Sequence, residues 1–249
     1  NVQNEKFDSY EAGVRWETPN RQFNVAASVY HTLWRNRTIT VSSESANTLT
    51  YLRGVDSNYS GLEIESAYQP FRKLRLDVAA SFGDWTYQKD TQGEVFNITT
   101  GARTTSGYYI RDLRVGDAPQ TQVAYAATVY PVSGLSVKLQ GRWYDRYWAE
   151  FSPESRTVAG DYAQPWRVPA YTLYDLHVNY NLPLRSQRYE VAVFFHVFNL
   201  LNKQYISDAT DESQFEAVGL NLAARHTAQR AEVFLGQRIT FNSGIKVSF

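Results

Sequence analysis

Four groups of residues have the types and spacing to do chemistry. His177 and His196 lie in two segments that alternate apolar and polar residues, so paired strands would bring both imidazoles onto one polar face, to hold a transition metal or to hydrogen-bond locally. Asp208, Asp211 and Glu212 cluster in a polar stretch and offer oxygen ligands of the kind Ca²⁺ takes. Glu63 and Glu65 share one strand face and imitate the carboxylate pair of a glycosidase. For each of these a plainer reading is preferred: local hydrogen bonding, a solvated acidic loop, and polar wall residues. No catalytic residue, metal site or cofactor is therefore assigned, and G-x-S-x-G, H-E-x-x-H and P-loop motifs are absent. The fourth group is aromatic and basic: Tyr87, Arg103, Tyr108, Tyr109, Arg111, Arg114, Tyr147, Trp148, Arg156 and Trp166. Rings supply stacking area at low entropic cost and guanidiniums pair with carboxylate or catecholate oxygens, so this group is the candidate ligand-binding set. The competing reading is that these side chains pack loop on loop or touch lipopolysaccharide.

Composition narrows the setting. The formal net charge is zero, which gives no steering field for a polyanion and excludes nucleic acid as the expected partner. There is no cysteine, hence no disulfide, thiolate metal site or Cys nucleophile. The longest apolar run, from Val191 to Leu201, is interrupted by His196 and Asn199 and falls short of the ~20 residues of a membrane helix. Eighteen Tyr and six Trp put unusual weight on side chains that favour boundaries between apolar and wet surroundings. A Tyr-rich β-sandwich is the competing reading of the same composition.

The elements that must position these residues are strands. Alternation of period two runs through Tyr10–Glu17, Phe23–Trp34, Leu62–Gln69, Leu74–Phe82, Gln122–Val129, Leu135–Trp143, Tyr174–Leu182, Tyr189–Phe198 and Ile239–Phe249. Between them short turns such as Thr18–Arg21, Pro70–Lys73, Pro131–Gly134 and Pro183–Arg188 alternate strictly with long stretches, which are expected to be loops. A compact soluble domain rarely carries four loops of about twenty residues or more, whereas an outer-membrane barrel has tight periplasmic turns and long extracellular loops by construction. The expected fold is therefore all-β, an antiparallel transmembrane β-barrel portion of about nine strands.

Direction follows from the same rhythm. With short turns periplasmic, the first and ninth strands run the same way and cannot pair antiparallel. Since single-chain bacterial barrels have even strand numbers, an odd number of strands is expected upstream, and residues 1–249 are read as the C-terminal part of a larger barrel. Val191, Val193, Phe195 and Val197 are expected to contact lipid. Trp16, Phe23, Tyr68, Phe71, Tyr130, Tyr180, Tyr189 and Phe249 are expected near the periplasmic boundary, and Trp34, Trp85 and Trp143 near the outer one.

The run Val193-Phe194-Phe195-His196-Val197-Phe198-Asn199-Leu200-Leu201-Asn202-Lys203-Gln204-Tyr205 resembles the "V-x-N-L-F-N-K-x-Y" penultimate-strand pattern of TonB-dependent outer-membrane receptors. Gly61-Leu62-Glu63-Ile64-Glu65 is similar to the family's "G-x-E-x-E" strand and Tyr10-Glu11-Ala12-Gly13-Val14-Arg15 to its "Y-E-x-G-x-(K/R)" strand. Gly116-Asp117-Ala118-Pro119-Gln120 sits where an "A-P" commonly enters a strand, and terminal Phe249 resembles the aromatic end of outer-membrane barrels. Phe198 and Leu201 depart from the pattern at positions often Asn and Phe. The resemblance implies a barrel of about twenty-two strands with a plugged lumen, roughly thirteen of them outside this sequence. It implies localisation in the outer membrane of a Gram-negative bacterium. It also implies import of a large scarce nutrient, a ferric siderophore first, with haem, cobalamin or a glycan as other cargoes. The implied partners are outer-membrane lipid and lipopolysaccharide, the protein's own plug domain and N-terminal barrel strands, the TonB energy-coupling protein, and the iron chelate or other nutrient. The competing functions are a secreted or surface sugar-binding β-protein and a smaller barrel adhesin or enzyme.

Overall fold

The computed structural model describes residues 4–43, 47–184, 189–211 and 226–249. Nine strands form one antiparallel path: β1 (Lys6–Glu17), β2 (Phe23–Ser43), β3 (Thr48–Phe71), β4 (Leu74–Tyr87), β7 (Pro119–Val129), β8 (Leu135–Trp148), β10 (Tyr171–Asn181), β11 (Glu190–Phe198) and β14 (Thr240–Ser248). The other strands lie in the connections. β5 (Thr91–Asn97) and β6 (Arg103–Tyr108) form a hairpin added to the far end of β3, β9 (Arg167–Val168) pairs with the end of β8, and β12 (Ile206–Asp211) pairs with β13 (Ala231–Leu235). The nine strands are those the alternation identified. With eight antiparallel steps between them, an even number, β1 and β14 run in the same direction.

Register carries the apolar parity across the sheet. Trp16 pairs with Val25, Val29 with Leu62, Leu62 with Phe82, Leu76 with Ala127, Ala127 with Leu139, Leu139 with Leu176, Leu176 with Val197, and Val193 with Ile245. One face is thus apolar from edge to edge. Most of its side chains stand in the open, Val14 at 68%, Phe241 at 65% and Ile245 at 71% exposure. A β-sandwich would cover this face with a second sheet, and among the described residues none does so. So large a contiguous apolar surface is stable only against lipid. Val197 differs from the expectation: it is 4% exposed and covered by protein rather than available to lipid.

Aromatic rings seated over glycine help fix this register. Tyr30 faces Gly61, Tyr125 faces Gly141 and Phe194 faces Gly244 as direct cross-strand partners, and a Cβ on any of the three glycines would lie within 2.6 Å of the ring opposite. Trp16, Phe23 and Tyr68 touch one another at the short-turn end, ring centroids 5.8 and 6.0 Å apart. Trp34 and Trp85 lie toward the opposite end, but on the polar face. The Trp85 indole N–H donates to the Tyr30 hydroxyl at 2.9 Å and that of Trp34 to Glu5 at 3.2 Å, so neither belongs to a lipid-facing belt.

The long stretches are more ordered than expected. The first is no loop: β2 and β3 stay paired as far as Ser43 and Thr48, with irregularities between Trp34 and Ile39. Thr38-Ile39-Thr40-Val41 has β-branched residues that favour a strand, but beyond the bilayer both faces are wet and the alternation that marks a membrane strand vanishes. The last long stretch is tied down by Asn199, 4% exposed and left-handed at φ 50°. Its side-chain carbonyl accepts the Lys203 amide at 2.8 Å, and its NH₂ donates to the carbonyls of Lys203 at 2.8 Å and Gln237 at 3.0 Å. The backbone N–H of Asn199 donates to the buried Asp175 carboxylate at 2.9 Å. This clamp joins the end of β11 to the chain entering β14 and gives the Asn-Leu-Leu-Asn-Lys run its physical reason.

Two outcomes check this architecture. Val193→Arg should destabilise the folded barrel by about 2–4 kcal/mol in urea titrations in lipid vesicles, with Ala192→Arg on the polar face markedly milder. Equal effects would reject the assignment of faces. Asn199→Ala strands three backbone groups and should cost about 2–4 kcal/mol, whereas Asn202→Ala, at the same left-handed φ of 50° but with a single 3.2 Å bond to the Ile239 amide to lose, should cost less.

Candidate functional site

Beyond the end of the sheet opposite the short turns, the long connections build a separate protein layer, and the buried apolar clusters lie there. One is formed by Leu52, Val55, Tyr87, Tyr108, Ile110, Leu113 and Phe151, the other by Tyr147, Ala149, Val168 and Ala209 with Trp166 and Ile206 packed against it. Half of the ten candidate ligand residues therefore have buried side chains: Tyr87 at 6%, Tyr108 at 2%, Tyr147 at 4%, Trp148 at 8% and Arg156 at 3% exposure. Tyr87 meets Phe151 edge-on at 5.7 Å, and burial pushes its hydroxyl pKa up to about 12. The Tyr147 hydroxyl donates to Asp208 at 2.9 Å, and burial together with that carboxylate raises its pKa further.

Arg156 joins the layers of this region. Its guanidinium lies 4.7 Å over the Phe151 ring, donates to the Ala163 carbonyl at 2.9 Å and to His226 Nε2 at 2.8 Å, and stands 3.9 and 3.8 Å from Asp161 and Asp211. With Nε2 accepting, the His226 proton sits on Nδ1 and is donated to Asp211 at 2.6 Å. Asp208 and Asp211 thus make internal bonds, Asp208 with the Tyr147 hydroxyl and Asp211 with His226. Glu212 lies outside the described residues, and among those residues no group of three or more His, Cys, Asp or Glu is placed to hold a metal ion.

The more exposed arginines and Tyr109 gather around two rings, of which the first, Trp148, is itself largely buried. At the first, the Trp148 ring is flanked by the guanidiniums of Arg114 at 5.3 Å, Arg146 at 5.7 Å and Arg167 at 5.8 Å. Arg167 is the cross-strand partner of Trp148, Arg146 precedes it by two on the same strand, and Arg114 arrives from the connection after β6. Asp84 takes Arg114 and Arg146, the latter at 3.2 Å, and Asp145 takes Arg167 at 2.6 Å. Three guanidiniums against two carboxylates leave the cluster one positive charge in excess. The second centre is Tyr162, with Tyr109 edge-on at 6.3 Å and the Arg111 guanidinium at 5.3 Å. Arg103 lies apart, over Phe96 at 5.2 Å and paired with Glu94. Arg146, Arg167 and Tyr162 were not among the sequence candidates. Arg146 and Trp148 are two apart at a strand end, a spacing that marks a shared face, but nothing in the sequence announces the two-residue strand that delivers Arg167.

Asp90 holds the second centre. One carboxylate oxygen accepts the amides of Ile110 and Arg111 at 3.0 Å each, the other the Tyr162 hydroxyl at 2.7 Å. Burial raises the Asp90 pKa, but these bonds and the Arg111 charge outweigh it, and the carboxyl lies below the ordinary aspartate range. A folded pKa below the unfolded one gives stability that is full above the unfolded value and lost as pH falls through the folded value. Asp90→Ala should therefore loosen the segment at neutral pH by about 1–2 kcal/mol, read as faster hydrogen exchange at the Ile110 and Arg111 amides. The wild type should reach the same state only on acidification below its depressed pKa. Exchange unaffected by either change would remove Asp90 from this role.

The sequence matches the family described as TonB dependent receptor-like, beta-barrel, over residues 1–200. No curated relative matches it. Among solved structures the chain is similar to FpvA of P. aeruginosa bound to heterologous pyoverdines, with 13% identity, TM-score 0.57, and 99% of this chain covered against 27% of that one. It is similar to the ferric yersiniabactin uptake receptor FyuA from Yersinia pestis, with 14% identity, TM-score 0.56, and 98% covered against 29%. It is similar also to the copper transporter OprC, with 15% identity, TM-score 0.60, and 99% covered against 31%. The chain thus spans less than a third of the length of each, and at these identities the likeness is one of fold. The nine-strand register, the exposed apolar face and the family match agree: the chain belongs to the TonB-dependent receptor family, and its strands are β-barrel wall in the outer membrane of a Gram-negative bacterium.

Proposed function

We propose that this chain supplies wall and extracellular rim to a receptor that imports a large, scarce, anionic chelate, a ferric siderophore before haem, cobalamin or glycan. The observation that carries the reading is the Trp148 centre, an aromatic ring among three guanidiniums with side-chain exposures of 27%, 32% and 52% for Arg114, Arg146 and Arg167. Guanidinium forks match carboxylate and catecholate oxygens in pairs, and the largely buried ring holds the three of them together. FpvA is bound to pyoverdines and FyuA is a ferric yersiniabactin uptake receptor, which supports the siderophore class, while OprC is a copper transporter. Further barrel strands pair with the open edges of β1 and β14, a plug domain fills the lumen, and TonB supplies energy from the inner membrane. Lipid and lipopolysaccharide surround the apolar face. The polar grooves along the wall, such as that of about 360 Å³ lined by Glu65, Arg75, Asp77 and Lys138, are passage rather than active site.

The test is uptake by cells whose sole receptor of this type is the intact protein, offered radiolabelled ferric catecholate, carboxylate and hydroxamate chelates, haem and cobalamin. An anionic ferric chelate should enter in a TonB-dependent manner. Replacing Arg114 and Arg167 together by Gln should weaken its binding by about tenfold to a hundredfold, at the scale of one or two charge-assisted bonds. Entry of cobalamin alone, or unchanged chelate affinity in an assembled variant, would refute the proposal.

A further inference from the structure

His177 and His196 take no part in the rim. They are direct cross-strand partners on β10 and β11, on the polar face that lines the lumen, and their Nδ1 atoms lie 3.1 Å apart. Both rings are half-buried and held from the sides. Phe194 stacks on His196 at 5.1 Å and 20°, and Phe198 meets His177 edge-on at 5.6 Å and 74°. Phe194 is itself seated over Gly244, where a Cβ would come within 2.6 Å of the ring. Two aromatic residues on the polar side of a membrane strand are thereby accounted for, as supports of an imidazole pair.

A separation of 3.1 Å suits a hydrogen bond in which one imidazole donates to the other. It also suits two ligands of a single ion, because metal–nitrogen bonds of about 2.0–2.1 Å meeting at about 90–109° put their nitrogens about 2.9–3.4 Å apart. We infer that His177 and His196 form a two-imidazole chelate on the lumen wall for a divalent transition metal of the Cu²⁺, Ni²⁺ or Zn²⁺ type, for which imidazole is a suitable ligand. On coordination the shared Nδ1 proton moves through solvent to Nε2 of its own ring, so the neutral pair binds without net proton release, and acid competes for the same nitrogens. Asn242, the cross-strand partner of His196 on β14, adds a neutral amide beside the pair, whereas Lys138, the partner of His177 on β8, sets a cation beside it. With two protein ligands, a neighbouring cation and water in the remaining positions, the site exchanges its metal rather than retaining it.

The experiment uses the intact receptor purified in detergent and titrated with Cu²⁺ alone, followed by calorimetry and by electron paramagnetic resonance of the bound ion. The wild type should bind one equivalent whose spectrum carries two imidazole nitrogens from this pair. His177→Ala and His196→Ala should each weaken binding by about tenfold or more and leave at most one of those nitrogens, while His31→Ala leaves affinity and spectrum unchanged. Gly244→Ala, which displaces Phe194, should weaken binding without removing either ligand. Barrel assembly of each variant is checked by its mobility shift on boiling. Unchanged Cu²⁺ affinity in assembled His177→Ala or His196→Ala overturns the inference; should neither assemble, a wild-type spectrum with one imidazole or none overturns it equally.

Discussion

The constraint on which this structure rests is that a backbone crossing lipid must satisfy every N–H and C=O within the protein. A strand can do so only through its neighbours. Each of the nine strands is therefore committed to a register before any side chain is considered, and because side chains alternate, that register decides which residues meet lipid. A slip of one position would turn the apolar set of a strand inward and its charged set outward. The continuous run of pairs from Val29 with Leu62 to Val193 with Ile245 is that commitment read across the sheet. Rings seated over Gly61, Gly141 and Gly244 reinforce it, since a ring placed opposite a larger residue would have no seat.

With its apolar side chains facing outward, the wall has no hydrophobic core of its own between sheets. Among the described residues, the apolar clusters of the ordinary kind lie above it, around Leu52 and Tyr87 and around Tyr147 and Val168. These clusters are carried on the continuing ends of β3, β4 and β8, and polar side chains stitch them to the wall as well. Asp175 accepts the Arg142 guanidinium at 2.7 Å and the Asn199 amide from the other side, and Arg156 draws Asp161, Asp211 and His226 together. Each is a buried polar group whose partners come from segments distant in sequence, so loss of one partner strands the other in a low dielectric.

In the proposed receptor that upper layer gives the rim its selectivity. Long strands continue past the bilayer and carry side chains upward at fixed height, as β8 does in delivering Arg146 and Trp148. Arg114 and Arg167 then converge on the same ring from two connections. Under the proposed function, a ligand meeting three guanidiniums already paired to Asp84 and Asp145 finds charge that is oriented but incompletely neutralised. Preorganised charge of this kind lowers the ordering cost of capture.

The sequence by itself determined the nine wall strands, their faces and the alternation of short and long connections, because lipid imposes a period of two that survives in the residue order. It also carried the family motif, whose Asn199 proved to be a clamp. Where the chain leaves the bilayer that imprint ends, and the sequence could not distinguish the paired ends of β2 and β3 from a loop, nor the buried Tyr87, Tyr108 and Arg156 from surface residues awaiting a ligand. Those distinctions arise from contacts between segments dozens of residues apart, and only the tertiary structure brings them together. It decided that Trp148, rather than the tyrosines around it, is the centre on which the arginines converge. It decided too that two histidines on the same wall stand one metal's width apart, a distance set by the register of their strands and by the rings that flank them.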